Sequence, residues 1–239
     1  MSTIAVNLQA VEATITAAAA VSGRPRSAVQ LLAVSKTFPA EAVLEAMAAG
    51  QRAFGENYLQ EGVEKIADVA RAQPAQSTQS SEPVEWHFIG PIQSNKTRSI
   101  ATSFAWVHTV ERLKIAQRLS EQRPPEMGLL NICLQVNISG EATKSGATAA
   151  ELPELARQVA LLPNLRLRGL MAIPEPQTDP ALQRAAFARL RALGEDLRAD
   201  GLTIDTLSMG MSADMEAAIA EGATIVRVGS AIFGHRNYD

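Results

Sequence analysis

Apolar residues recur along this chain in short continuous runs, separated by longer stretches in which they return every three or four positions. Eight runs have strand character: Gln30–Ser35, Gln51–Phe54, Glu85–Ile89, Ala105–Thr109, Leu130–Ile138, Leu165–Ile173, Thr206–Met209 and Ile225–Val228. The stretches between them predict helices, among them Ala40–Ala49, Tyr58–Ala70, Arg112–Glu121, Ala150–Leu161, Ala181–Arg198 and Ala213–Glu221. The strand runs are apolar on both faces instead of strictly alternating, the pattern of a parallel sheet covered by helices. Regular alternation of strand and helix predicts an α/β fold, a closed (β/α)8 TIM barrel preceded by an extra helix at about Ala5–Ala20. A doubly wound open sheet is disfavoured, because no Gly-rich phosphate loop follows the first strand.

Length and composition narrow the picture. At 239 residues, with 46% hydrophobic and 20% charged residues, the chain is expected to form one globular domain over 1–239. The Gln/Ser/Pro-rich stretch at about 72–83 has nothing to bury and reads as an exposed loop, not a boundary. A net charge of −3 gives no field for nucleic acid or anionic lipid, so neither is expected as a partner. "NLQAVEATITAAAAVSG" carries Glu12 and no basic leader, which argues against a signal peptide or membrane span. The lone Cys133 lies in an apolar run and reads as a small buried hydrophobe, which favours a cytoplasmic setting. His87, His108 and His235 lack metal-ligand spacing, and His87 is expected to pack or hydrogen-bond at the end of the third strand. "GEATKSG" (140–146) lacks the P-loop pattern and reads as a polar loop at the barrel mouth.

Functional groups of such barrels lie at the C-terminal ends of the strands. After the first run comes Lys36 and after the second Asn57; the last two runs end in the turns Ser208-Met209-Gly210 and Gly229-Ser230. Most lysines near strand ends are solvated charges. Lys36, however, follows the buried-type strand "LLAVS", where desolvation would favour the neutral amine that attacks an aldehyde. Phosphate sites of barrels recur in the loops after the last two strands, where free N–H groups and a helix N-terminus point at the anion. One Gly/Ser turn would be read simply as a tight turn, but two in those loops read as one anion cup. Arg227 sits in the apolar "VRVG" and needs a buried acceptor, either a structural carboxylate or the ring nitrogen of a bound heterocycle. An amine, a phosphate cup and an arginine between them describe a site for pyridoxal 5′-phosphate (PLP).

From about Leu31 to Arg236, "AVSKTFP", "FGENYLQE", "WHFIGPIQSNK", "VNISGEATKSG", "GLMAIP" and "LSMGMSADMEAAI…VRVGSAIFG" closely resemble the pyridoxal 5′-phosphate homeostasis protein family. That family is similar to the N-terminal barrel of alanine racemases, a fold-type III PLP barrel without the C-terminal β-domain. The resemblance implies that Lys36 carries PLP as a Schiff base, with Asn57 beside the ring. It implies that Ser208, Met209, Gly229 and Ser230 hold the phosphate, and that Arg227 faces the pyridine nitrogen. It implies little or no catalysis and no catalytic residues: neither Tyr58 nor Tyr238 has the context of a second base, and an arginine at the ring nitrogen weakens the ring as an electron sink. The leading expectation is a cytoplasmic, monomeric carrier or regulator of PLP that serves apo PLP-dependent enzymes. An amino-acid racemase of fold type III and a Schiff-base aldolase barrel are the alternatives.

Overall fold

Residues 2–72, 83–140 and 145–234 are described by the computed structural model of the chain. In order, it runs α1 (Thr3–Val21), β1 (Gln30–Val34), α2 (Ala40–Ala48), β2 (Ala53–Glu56), α3 (Leu59–Ala72), β3 (Glu85–Phe88), α4 (Thr97–Ser103), β4 (Trp106–Val110) and α5 (Leu113–Gln122). It continues with β5 (Leu130–Gln135), α6 (Leu152–Ala160), β6 (Leu165–Met171), α7 (Pro180–Ala199), β7 (Thr206–Ser208), α8 (Met215–Ala220), β8 (Ile225–Val228) and α9 (Ser230–Phe233). The strands pair in parallel, each with the next, and β8 returns to β1 through Leu32 opposite Arg227, so the sheet closes. This is the expected (β/α)8 barrel. The expected Gln/Ser-rich loop lies, at 73–82, outside the described residues, as do Glu141–Lys144, His235, Arg236 and Tyr238.

Closure divides the apolar side chains into two sets. Leu32, Val34, Ala53, Ile89, Trp106, Cys133, Met171 and Ile225 form a cluster of their own, which fills the barrel axis. The larger cluster, with Phe54, Phe88, Phe104, Leu130 and Phe187 among its bulkiest members, lies between sheet and helices. Because both faces are covered, the strands read as continuous apolar runs.

Several boundaries differ from the sequence reading by one or two residues, and the larger differences have local reasons. β2 begins and ends two residues later than Gln51–Phe54, because Glu56 is fully buried in the strand by partners described below. β5 stops at Gln135, and Val136 keeps only an isolated bridge to Ala147. Helix α4 carries no apolar periodicity: "TRSIATS" buries only Ile100, Ala101 and Thr97, and its β-branched and hydroxyl residues are poor helix formers.

Helix α1 is by length and composition apolar enough to cross a membrane. Here it is a layer of the barrel instead: Leu8, Val11, Ile15 and Ala19 are buried, with α2, α8 and α9 beside them. Asn7 donates from Nδ2 to Ile232 O at 2.9 Å, and Arg24, just past the helix, donates to Ile219 O and Ala223 O at 2.8 Å each. The remaining apolar surface includes Val6 and Val21, both exposed.

The barrel floor is closed by a polar plug. The register of β5 and β6 jumps from Ile132–Leu167 to Cys133–Gly169, so Arg168 is an extra residue in β6. Its guanidinium pairs with Asp205 at 2.8 Å, donates to Asn131 Oδ1 at 3.1 Å and lies 4.7 Å from the Trp106 ring centre. The bulge brings backbones together at Gly169, where a Cβ would lie 1.8 Å from Thr206 O. Gly169→Ala is therefore expected to cost about 3 kcal/mol or more, the upper end of overpacking, read as a lower urea midpoint. An unchanged midpoint would show that the β6–β7 spacing is free to relax.

A lysine held at the barrel mouth

The C-terminal ends of the strands bring Lys36, Asn57, Arg227, Gly229 and Ser230 to one end of the barrel, with Ser208 and Met209 buried between β6 and β8. Lys36 lies two residues past the end of β1 and is half-buried. Its two neighbours are fixed. Ser35 donates its hydroxyl to Glu56 Oε1 at 2.7 Å, and its carbonyl accepts from Lys65 Nζ at 2.7 Å. Thr37 has a left-handed backbone, φ 68°, uncommon for a residue with a Cβ, and donates its N–H to Glu61 Oε1 at 2.6 Å. Lys65, on α3, also donates to Glu56 Oε1 at 2.7 Å and to Glu61 Oε1 at 2.8 Å. A buried ion pair thus clamps the chain on both sides of Lys36.

The clamp also separates the two amines chemically. An ammonium has three N–H donors, and those of Lys65 are matched by Ser35 O, Glu56 and Glu61. Glu56 is fully buried; burial pushes its carboxyl up, and the Lys65 cation opposes that push. Neither the serine nor the two glutamates stand out in sequence, because Glu56 closes an otherwise apolar strand and Lys65 lies on the helix beyond it.

Asn57 follows Glu56 at the end of β2. Its backbone is pressed against Gly90, where a Cβ would lie 1.9 Å from Asn57 O, and the Thr109 hydroxyl donates to Gly90 O at 2.6 Å. The side-chain Oδ1 of Asn57 is buried and has no hydrogen-bond partner among the described residues. Such an orphan acceptor is costly unless a ligand or water supplies a donor.

Arg227 points into the barrel from β8 and is buried. Its Nη1 donates to Ser208 Oγ at 2.9 Å and its Nη2 to Ala172 O at 3.0 Å, both neutral acceptors. Burial pulls its pKa down to about 10, with the field of Asp214 acting against the fall, so the group remains a cation at neutral pH. Of the two partners foreseen from sequence, the structural carboxylate is not the one bonded to it.

The two Ser/Gly turns differ. In the first, the Ser208 hydroxyl is bonded to His108 Nδ1 at 2.8 Å as well as to Arg227, Met209 N–H donates to Ile225 O, and Gly210 O accepts from Arg227 N–H. Gly210, at φ 93°, is required by packing, since a Cβ would meet Ala218 Cβ at 2.5 Å. The Ser208 hydroxyl therefore faces the barrel interior, bonded to His108 and Arg227. In the second turn, Gly229 brings the backbone to Val34 O, 3.1 Å from where a Cβ would stand, and Ser230 opens α9 in an exposed position. The first-turn N–H groups of a helix have no acceptor within it. Donors for an anion thus concentrate at the second turn.

Other expected groups are placed away from chemistry. Tyr58 stands at the rim, 54% exposed. Cys133 is buried in the barrel axis and its thiol is pushed up to about 12 by desolvation, so it is inert. His87 hydrogen-bonds as expected, but in the barrel interior, to His108. Among the described residues no cluster suits a metal ion.

The account of the clamp is testable. Lys65→Met leaves a buried carboxylate without its cation and is expected to lower stability by roughly 3–5 kcal/mol. The pair Lys65→Met/Glu56→Gln should lose markedly less. Equal losses in a denaturant titration would show that the ion pair is not what holds this corner.

The profile described as "Alanine racemase, N-terminal domain" matches residues 6–237. A protein of Pseudomonas aeruginosa named "Pyridoxal phosphate homeostasis protein" is 62% identical over 238 residues, covering 100% of this chain and 98% of that one. PipY of Synechococcus elongatus, solved with PLP bound, is 35% identical with a TM-score of 0.79, covering 97% of this chain and 100% of that chain. An alanine racemase of Clostridium difficile shares the fold at 14% identity and a TM-score of 0.72, covering 100% of this chain and 58% of the racemase.

Proposed function

The chain belongs to the pyridoxal phosphate homeostasis protein family and binds PLP, and we propose that it does so at the barrel mouth, with Lys36 as the amine. PLP supplies an aldehyde that condenses reversibly with a primary amine. Among the described residues, Lys36 lies half-buried at the mouth just past β1, whereas Lys65 has its three donors committed to the clamp, and we take Lys36 as the attacking group. Asn57 Oδ1, buried and unsatisfied, is placed to accept from a polar group of the ring. Gly229 and Ser230 hold the phosphate at the start of α9, and Ser208 and Met209 form the wall behind it. Arg227 faces the ring nitrogen.

The observation that carries this reading is the buried guanidinium of Arg227, bonded among the described residues only to neutral acceptors. A cation kept free of carboxylates favours an unprotonated ring nitrogen, the state that makes the ring a poor sink for a substrate carbanion. We accordingly favour a holder of PLP over a racemase: it keeps the aldehyde, acts as a monomer in the cytoplasm, and yields PLP to apo-enzymes that need it.

Reduction of the loaded protein with borohydride is expected to fix one PLP on Lys36, seen by peptide mass mapping, and Lys36→Ala should abolish the visible absorption band. A label on Lys65 with Lys36 untouched would overturn the assignment.

A further inference from the structure

Two histidines inside the barrel have no part in the site as described so far, yet they lie in one unbroken line with it. His87 Nδ1 is 2.9 Å from His108 Nε2, and His108 Nδ1 is 2.8 Å from Ser208 Oγ, which accepts from Arg227 Nη1. At the far end His87 Nε2 lies 3.6 Å from Glu85 Oε2, long for a hydrogen bond but within electrostatic reach. Glu85 begins β3 on the barrel floor, where it accepts from Gln30 Nε2 at 3.1 Å and Trp106 Nε1 at 3.3 Å. The rings are packed as well as bonded: His87 lies flat on Trp106 at 5.3 Å and edge-on to His108 at 5.1 Å.

The direction of every proton in this line follows from its two ends. A guanidinium can only donate, so Ser208 Oγ accepts from Arg227, and the one neighbour among the described residues that can take its single hydrogen is His108 Nδ1. His108 Nδ1 is then an acceptor, its proton sits on Nε2, and that proton goes to His87 Nδ1. The proton of His87 falls on Nε2, towards the Glu85 carboxylate. Both imidazoles are neutral in this arrangement, in agreement with burial, which lowers the pKa of each. The reverse neutral assignment, His87 Nδ1–H to His108 Nε2 and His108 Nδ1–H to Ser208 Oγ, is disfavoured, because it leaves the buried Ser208 hydrogen without an acceptor among the described residues and sets a His87 Nε2 lone pair against the Glu85 carboxylate.

We propose that His87, His108 and Ser208 are positioning residues for PLP binding, forming a one-directional chain of hydrogen bonds through the barrel that holds the Arg227 guanidinium where the ring nitrogen docks. A carboxylate in place of Ser208 would neutralise Arg227; a lone hydroxyl would leave it free to swing. The chain fixes the guanidinium while leaving its charge available to a ligand. This inference rests on the reading of Arg227 as the group facing the ring.

Two measurements decide it, one of which needs no PLP. In the apoprotein, 15N NMR of the imidazoles should show both rings neutral with the proton on Nε2, and Ser208→Ala should broaden or shift the Arg227 guanidinium signals. A proton on His108 Nδ1, or Arg227 signals unmoved by Ser208→Ala, overturns the chain whatever the protein binds. In the loaded protein, Ser208→Ala and His108→Phe are each expected to weaken PLP binding about tenfold, the upper range for one hydrogen bond. The double variant should be no weaker than either single one, and Ser208→Thr should restore affinity. Additive losses overturn the proposal. Should His108→Phe not fold, the Ser208→Ala and Ser208→Thr pair decides. If the parent protein itself takes up no PLP, the reading of the site fails, and the NMR result alone judges the chain.

Discussion

A positive charge inside a closed barrel governs the layout of this molecule. Arg227 is buried, remains a cation, and is bonded to a hydroxyl and a carbonyl instead of a carboxylate. Isolated buried charges are expensive, so the surroundings must be arranged around it. Strand β8 holds its backbone in register with β1, the strand that leads into Lys36, and Ser208 on β7 holds its side chain. The amine and the guanidinium therefore share one rigid frame. Flexible loops could not keep them so.

A second buried ionic group sets the other side of the mouth. Lys65, Glu56 and Glu61 do not reach the barrel axis, but they fix Ser35 and Thr37 and so the path of the chain through Lys36. Lys65 is thereby committed to structure.

Much of this is legible in the sequence, because buried parallel strands declare themselves as apolar runs and the mouth of a barrel lies where each run ends. Lys36 and Asn57 are singled out by that rule and Arg227 by its charge within an apolar run, and the structure places all three at one end of the barrel. The misses are physical. Glu56 extends β2 although it is charged, and its burial depends on a lysine on the following helix. Helix α4 is too short and too rich in Thr and Ser to show a period. His108 lies in "WVHTV", where nothing tells an interior imidazole from one between sheet and helix. The turn at Ser208 looks like the turn at Gly229, and only the hydrogen bonds reveal that one is already filled from within.

The central claim is that the charge of Arg227 is kept free for the ring of PLP, and a crystal structure of the loaded protein tests it most directly. The account predicts an Arg227 nitrogen at hydrogen-bond distance, roughly 3 Å, from the pyridine nitrogen. A ring nitrogen turned towards solvent, or facing a carboxylate, with Arg227 still bonded only to Ser208 and Ala172, would contradict it.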